Sequence, residues 1–299
     1  MDMICERKQM TKKTKIGLVI LIVLVIAGYF SLKAYAAHVA EKNIDQAVSR
    51  VSGFVDLDYQ KVNVDLFGLN THIRNVRVAG MNREQTVEID DIVIYRLYRQ
   101  DRMPASLHVR FKGINLALDR LGQNAAALQQ MGYSHIKADT EIDYTYDPEE
   151  RRLDIHSFQT GAADLGHIKV TGRIDNLNLS PANLPILLFT FPNILLDQAT
   201  VTYQDDSFVK RLLEMAAQEK GQPYEAFMRD LNEKLEKEIA GQSDPFLKQV
   251  MTAVKRFLNN PAAITIAISP DKPVSIGRLQ KTRDPDELIK LLNVEAYVD

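Results

Sequence analysis

The sequence predicts an α+β protein: an N-terminal transmembrane helix, then a curled, bulged antiparallel β-sheet with a three-helix segment packed against or beside it. Three observations predict this. An uncharged run of 17 residues, Ile16 to Leu32, follows a basic tail. The stretch from Val55 to Leu118 alternates apolar and polar residues with the period of a strand, and changes phase once within each strand. Residues 207–260 then switch to helical spacing, broken by Pro223 and by Asp244-Pro245.

The apolar run sits at the short end of the ~17–25 residues that span a bilayer, and it continues through Ala34, Tyr35 and Ala36. Tyr29 and Tyr35 suit a membrane interface. Five of the first 15 residues are Lys or Arg, which sets the N-terminus in the cytoplasm and the rest of the chain across the membrane. A cleaved signal peptide is the alternative, since Ala34-Tyr35-Ala36 fits an A-x-A processing site. The run exceeds a typical signal h-region, and Lys33 stands just before the motif, so an uncleaved anchor is expected at 16–36 behind a basic tail at 1–15. A helical neck follows at 37–53, with Val39, Ile44, Val48 and Val51 near one face.

The curled β domain is expected at 54–206. Val55, Leu57 and Tyr59 alternate at odd positions, then Val62, Val64 and Leu66 at even ones. The same phase change separates Ile73 from Val76, Ile89 from Ile92, and Phe111 from Ile114. A one-residue slip would turn the apolar set to solvent. A β-bulge absorbs the extra residue and restores the facing. Bulges or bends are therefore expected near Lys61, Asn75, Asp91 and Lys112. A short helix at 121–131 interrupts, and strands resume at Ile136 to Tyr144, Leu153 to Phe158 and His167 to Ile174. Pro181 to Leu196, with prolines at 181, 185 and 192, reads as a buried connector or a surface that meets lipid. The helical segment, 207–260, has Ser207 and Asp244 as caps. The C-terminal part, 261–299, reads as strand, helix and strand closing the domain, with Asp284 as a further cap.

Composition excludes several function classes. The chain has 37 basic and 39 acidic residues. Without the six basic and two acidic residues of the first 33, these become 31 and 37, a net charge of −6, which has no broad field for a phosphate backbone; no nucleic-acid partner is expected. The single cysteine, Cys5, allows neither an intramolecular disulfide nor a Cys-based zinc site. The six histidines lack HExxH spacing, and no GxGxxG, GxxxxGK[ST] or GxSxG occurs. Asp56, Asp58, Asp90 and Asp91 fit the solvated faces of strands better than a cation site. No catalytic residue, metal or cofactor is expected.

The run from Ile44 to Leu97, with VDLDYQKVNVDLFGLNTHIRNVRVAG followed by VEIDDIVIYRL, resembles the N-terminal region of the AsmA-like family. HIKVTGRIDNLNL, at 167–179, is similar to later strands of that family. The resemblance implies anchoring in a bacterial inner membrane and a periplasmic curled β-structure. In larger members that structure is a hydrophobic groove associated with phospholipid movement toward the outer membrane. This chain is too short to bridge two membranes, and residues 207–259 fall outside the family pattern. The family offers no catalytic residues to carry over.

Two functions are expected to compete. The first is sheltering of lipid acyl chains in envelope lipid homeostasis, with the bilayer and a phospholipid as partners. The second is a non-enzymatic envelope scaffold or assembly factor that binds other proteins. For lipid, the candidate residues are the inward apolar ones near the anchor: Val55, Leu57, Tyr59, Ile73, Val87, Ile89, Val109 and Phe111.

Overall fold

The computed structural model describes residues 12–51, 55–80, 86–100, 103–119, 125–180, 183 and 186–298, with side chains from Tyr29 onward except at 47, 50, 51, 55 and 103. Cys5 and most of the basic tail lie outside the described residues. Helix α1 (Lys12–Val51) leads into β1 (Val55–Asp58), β2 (Lys61–Asp65), β3 (Asn70–Gly80), β4 (Thr86–Gln100) and β5 (Met103–Ala117). Helix α2 (Ala126–Gln130) precedes β6 (His135–Asp147), β7 (Arg152–Ala162) and β8 (Gly166–Asp175). Helix α3 (Leu187–Thr190) and a 3-10 turn at Phe191–Asn193 lead to β9 (Leu195–Gln204). Then come α4 (Phe208–Glu219), α5 (Tyr224–Gly241) and α6 (Pro245–Asn259). The chain ends with β10 (Ala263–Ile268), β11 (Val274–Ser275), α7 (Ile276–Lys281), α8 (Pro285–Leu291) and β12 (Val294–Val298).

All twelve strands join one antiparallel sheet, in the path β1-β3-β4-β5-β6-β7-β8-β9-β10-β12, with β2 on β3 and β11 on β9. This corrects the expected fold class in two respects. The protein is mostly one large sheet that runs on through the C-terminal strands, because β10 pairs along β9 from Ala263↔Gln204 to Ile268↔Ala199. In addition, no helix among the described residues is long and apolar enough to cross a membrane, which overturns the transmembrane helix expected at 16–36. The side chains of 12–28 lie outside the described ones; from Tyr29 on, α1 carries Lys33, His38, Glu41, Lys42 and Asp45.

Cross-strand register shows which residues share a face. One row runs Val62–Ile73–Ile92–Phe111–Thr140–Thr160–Ile168–Tyr203–Ile264–Val298, across the whole sheet. One residue away on each strand lies a mostly polar row: Asn63, His72, Arg110, Glu141, Gln159, Lys169, Thr202, Thr265 and Tyr297, interrupted by Val93, which is buried. The sheet thus has one apolar face and one polar face, the pattern of an antiparallel sheet with one solvated side.

The phase changes fall on one line. Asn75 of β3 and Gly113 of β5 both take left-handed φ, +51° and +63°. Asp90 of β4 lies between them, and Gln60 between β1 and β2 continues the line. The paired register is kept across it: Val76 opposes Ile89, and Ile73 opposes Ile92. Both halves of each strand therefore present their apolar residues to one side. Gly113 is needed for its conformation and its space, since a Cβ there would lie 2.1 Å from an Asp90 carboxylate oxygen. Against β6 the same segment is a true bulge, three residues from Phe111 to Ile114 facing two from Thr140 to Ala138. A second bulge in β7, between Ile155 and Phe158, keeps both of those residues on the apolar face.

Two helices lie directly on that face, at opposite edges. α1 packs Ala40 and Ile44 on a buried cluster of Val62, Ile73, Val76 and Ile89. α6 lies along β12 and β10, and α4 and α5 pack with it over Ile264 through Val209, Leu213, Phe227 and Phe257. Asp244 caps α6 as expected, accepting from Phe246 N at 2.9 Å and Leu247 N at 3.3 Å. Ser207 does not cap α4 through its side chain. It donates to the Leu165-adjacent carbonyl of Asp164 at 2.9 Å, and Asp205 accepts from Val209 N instead.

Candidate functional site

Between the two helical covers, strands β6, β7 and β8 carry their apolar face without a helix along it. The center of the long row, Thr140–Thr160–Ile168, marks the gap. The two threonine hydroxyls hydrogen-bond at 2.9 Å, one donating to the other. Ile168 keeps 40% of its surface exposed and Phe158 36%, high values for inward-facing residues of a central strand.

At one end of this strip the surface sinks into an open depression of about 450 Å³. Ile136 and Ala138 of β6, Ala162 of β7 and Ile168 of β8 form its floor. Leu128 of α2 stands on one side, and Phe208 of α4 with Phe257 of α6 on the other. Small residues create the hollow. Gly166 holds φ +106°, and a Cβ there would lie 2.3 Å from the Gln204 carbonyl and 3.1 Å from the Tyr203 ring. The Tyr203 hydroxyl is the polar group at the edge. It sits 2.7 Å from the Leu165 carbonyl and 2.6 Å from Asp205 Oδ1, and its one proton serves one of them at a time. Burial, then the bond to Asp205, raises the Tyr203 pKa, so the phenol stays neutral. With its hydroxyl already engaged, the depression offers a ligand apolar surface and no free charge.

The residues singled out from sequence lie elsewhere. Leu57, Tyr59, Ile73, Val87, Ile89 and Phe111 all belong to the cluster beneath α1. Tyr59 is tied to that helix by a hydrogen bond to Asp45, and burial raises its pKa. Val109 is 5% exposed. The side chain of Val55 lies outside the described residues. These residues are brought together, as core under a helix. The residues that line the depression were missed, although Ile136-Ala138-Thr140-Ile142 alternates as regularly as the earlier strands. The overlooked signal was the run of small residues facing them, Gly161, Ala162 and Gly166.

The polar face holds the other concentration of chemistry. His108 Nε2 lies 2.8 Å from Glu141, Arg96 donates to Asp143 at 2.5 Å and to Ser106 at 2.6 Å, and the Tyr95 ring leans on His108 at 4.5 Å. His72 Nδ1 is 2.9 Å from Asp91, whose second oxygen is buried without a partner. Each of these groups is engaged by a cross-strand neighbor. Among the described residues no three His, Cys, Asp or Glu side chains are grouped so as to hold a metal ion. This face is best described as a ladder of ion pairs, continued by Arg173 with Asp154 and Arg152 with Asp175, each at 2.8 Å.

No curated protein matches the chain. A family model described as "Uncharacterized protein" matches residues 159–298, from the second half of β7 to β12. That span contains one wall of the depression and the whole three-helix cover, and the chain is similar to that family over this part.

Proposed function

We propose that this protein shelters acyl chains of lipids on the uncovered strip of its sheet, with the depression at Ile136, Ala138 and Ile168 as the seat of the chain end. The observation that carries the reading is the gap itself: the apolar face of the sheet is covered at both edges by helices and left open at its center, where Phe158 and Ile168 are exposed. Each methylene moved from water onto such a surface contributes about 0.8 kcal/mol, so a long unbranched chain gains most. No charged group points into the depression, which favors recognition of the chain over the headgroup. The likeness of residues 44–97 and 167–179 to AsmA-like proteins supports assigning this activity to cell-envelope lipid homeostasis. The reading requires no membrane-crossing segment and no reactive group.

The test is mass spectrometry of lipid extracted from the full chain, together with displacement of a fluorescent fatty acid. Wild-type protein should carry lipid and bind the probe. Ile168→Asp and Phe158→Asp should remain folded and lose both. A folded wild-type protein that carries no lipid and binds no probe would sink the reading.

A further inference from the structure

The meander sends every second connection to the same end of the sheet. The β2–β3 turn (66–69), the paired ends of β4 and β5 at Gln100 and Met103, the β6–β7 turn and the described residues of the β8–β9 connector (176–180, 183 and 186–194) all lie there. Three of these four present large apolar side chains to solvent. Phe67 is 87% exposed and Leu69 is strongly exposed on the first, Leu97 and Tyr98 project near the second, and Leu188 and Phe189 are 85% and 83% exposed on the connector. At the opposite end the described turns, 131–134 and 163–165, expose no large apolar side chain.

These tips are held, not loose. Asp65 accepts from Phe67 N at 3.1 Å, and Tyr29 of α1 stacks on the Phe67 ring at 5.6 Å. Leu69 takes φ +53°, a left-handed conformation uncommon for leucine. The connector is fixed by Asn176, which donates to the Asn193 carbonyl at 2.9 Å, and by Ile276 N, which donates to the Ile194 carbonyl at 2.9 Å. Gly277 of α7 comes so close to Pro192 that a Cβ would lie 2.9 Å from its side chain. Exposed Lys272, Arg278 and Lys281 flank this connector.

We infer that this end of the sheet docks on the surface of a lipid bilayer, inserting its apolar tips to the depth of the headgroup–acyl boundary without crossing the membrane. The discontinuity of the tips argues for a bilayer over a protein. Along about 24 Å of sheet, five strand steps from β3 to β8, they are interrupted by the exposed polar Glu149-Glu150 turn. A fluid apolar layer accepts each tip independently, and the polar turn and flanking cations stay among the headgroups. The inference uses different residues from the acyl-chain strip, and the two fail separately.

The experiment uses the full chain with Cys5→Ser and one new cysteine, Phe189→Cys, Phe67→Cys or Ala163→Cys, carrying an environment-sensitive dye. Ala163 is exposed in the β7–β8 turn, at the opposite end of the sheet. Vesicles are 3:1 phosphatidylethanolamine and phosphatidylglycerol, with and without brominated acyl chains. Dyes at 189 and 67 should shift to the blue and be quenched by the brominated chains, and the dye at 163 should not. In unlabeled protein, Leu188→Ser with Phe189→Ser should weaken vesicle binding at least about tenfold, since each large apolar side chain withdrawn from lipid forfeits about that factor or more. Failure to bind vesicles overturns the inference. So does a dye at 189 that stays in water while the chain is vesicle-bound, or unchanged binding by the double serine variant. A concentration-dependent dimer abolished by the same variant would assign the tips to a second copy instead.

Discussion

The two edges of the apolar sheet face are sealed differently. At the β1–β4 edge a single helix lies on the strands and brings small and medium side chains, Ala40 and Ile44, down onto Val62, Ile73, Val76 and Ile89. At the β9–β12 edge α6 lies along the strands, and α4 and α5 complete the core with Val209, Leu213 and Phe227 around Phe257. A helix is about 10 Å across and strands are about 4.8 Å apart, so a helix lying on a sheet covers roughly two of them. Two such helices on a path of ten strand positions cannot cover the middle. Adding α5 behind α4 and α6 thickens one cover without widening it. The bare strip on β6–β8 is therefore a consequence of how few helices reach the sheet.

The largest expected effect separates covered from bare. Val76 is among the most fully buried side chains, and Val76→Asp would strand an unpaired charge beneath α1, a loss of about 4 kcal/mol or more. Ile168→Asp, in the same sheet face but in the gap, should cost about 1 kcal/mol or less. Urea titration of both variants measures the contrast; equal losses would mean that the strip is core as well. Next is Gly166→Ala, which forces a Cβ at φ +106° against the Gln204 carbonyl. It should cost about 2 kcal/mol by chemical denaturation and also reduce fatty-acid binding, because it pushes on Tyr203. An effect on stability without one on binding would separate the depression from the ligand.

Tyr203→Phe leaves the Leu165 carbonyl short of a donor and should cost about 1 kcal/mol. Its pH dependence has a definite sign. The folded phenol holds its proton to higher pH than the unfolded one, so the unfolded state loses protons first and stability falls as pH rises above about 10. Thermal melts between pH 8 and 11 should show a shallower alkaline decline in the Phe variant. A decline of unchanged slope would move the effect to other tyrosines, Tyr59 first.

The smallest effect concerns α6. Its cap Asp244 also pairs with Lys290 at 2.9 Å, and that bond, more than the backbone N–H groups, holds the carboxyl below its usual range. The contribution is present above the unfolded carboxylate pKa of about 4 and is lost as pH falls through the folded value. Asp244→Ala should lower Tm by a few degrees at pH 7 and by less near pH 3, measured by calorimetry. The same drop at both pH values would mean that the charge contributes nothing.

Much of the sheet was legible because each strand buries one side. The bends expected near Asn75, Asp91 and Lys112 from apolar spacing fall at Asn75, Asp90 and Gly113, since a strand that slips must recover its facing. The helix starts at Pro245 and Pro285 were marked by Asp-Pro pairs. The membrane-crossing helix expected at 16–36 falls largely on residues whose side chains lie outside the described ones, and from Tyr29 on Lys33, Glu41, Lys42 and Asp45 follow within the same helix. The candidate site was not legible for a different reason. Ile168 and Val109 look alike in sequence, each an apolar residue in an alternating strand. One is half-exposed and the other buried because of what pairing order brings beside each, and register over ten strand positions is a long-range property. The pairing of His108 with Glu141 was invisible for the same reason.

The excursion between β9 and β10 has a kinetic consequence. From β3 to β9 each strand pairs with the one before it through a local hairpin or a connector of modest length, whereas β10 must wait for the 58 residues from 205 to 262 to bring it back to β9. Closing so long a segment costs about 2 kcal/mol more entropy than closing a four-residue turn. The sheet should therefore zip outward from its hairpins and receive β10 and β12 last, after α4–α6 have gathered over Tyr203. Pulsed hydrogen exchange during refolding should show β10 and β12 amides gaining protection after those of β4–β7; simultaneous protection would mean that the helical layer forms early enough to guide the strands home.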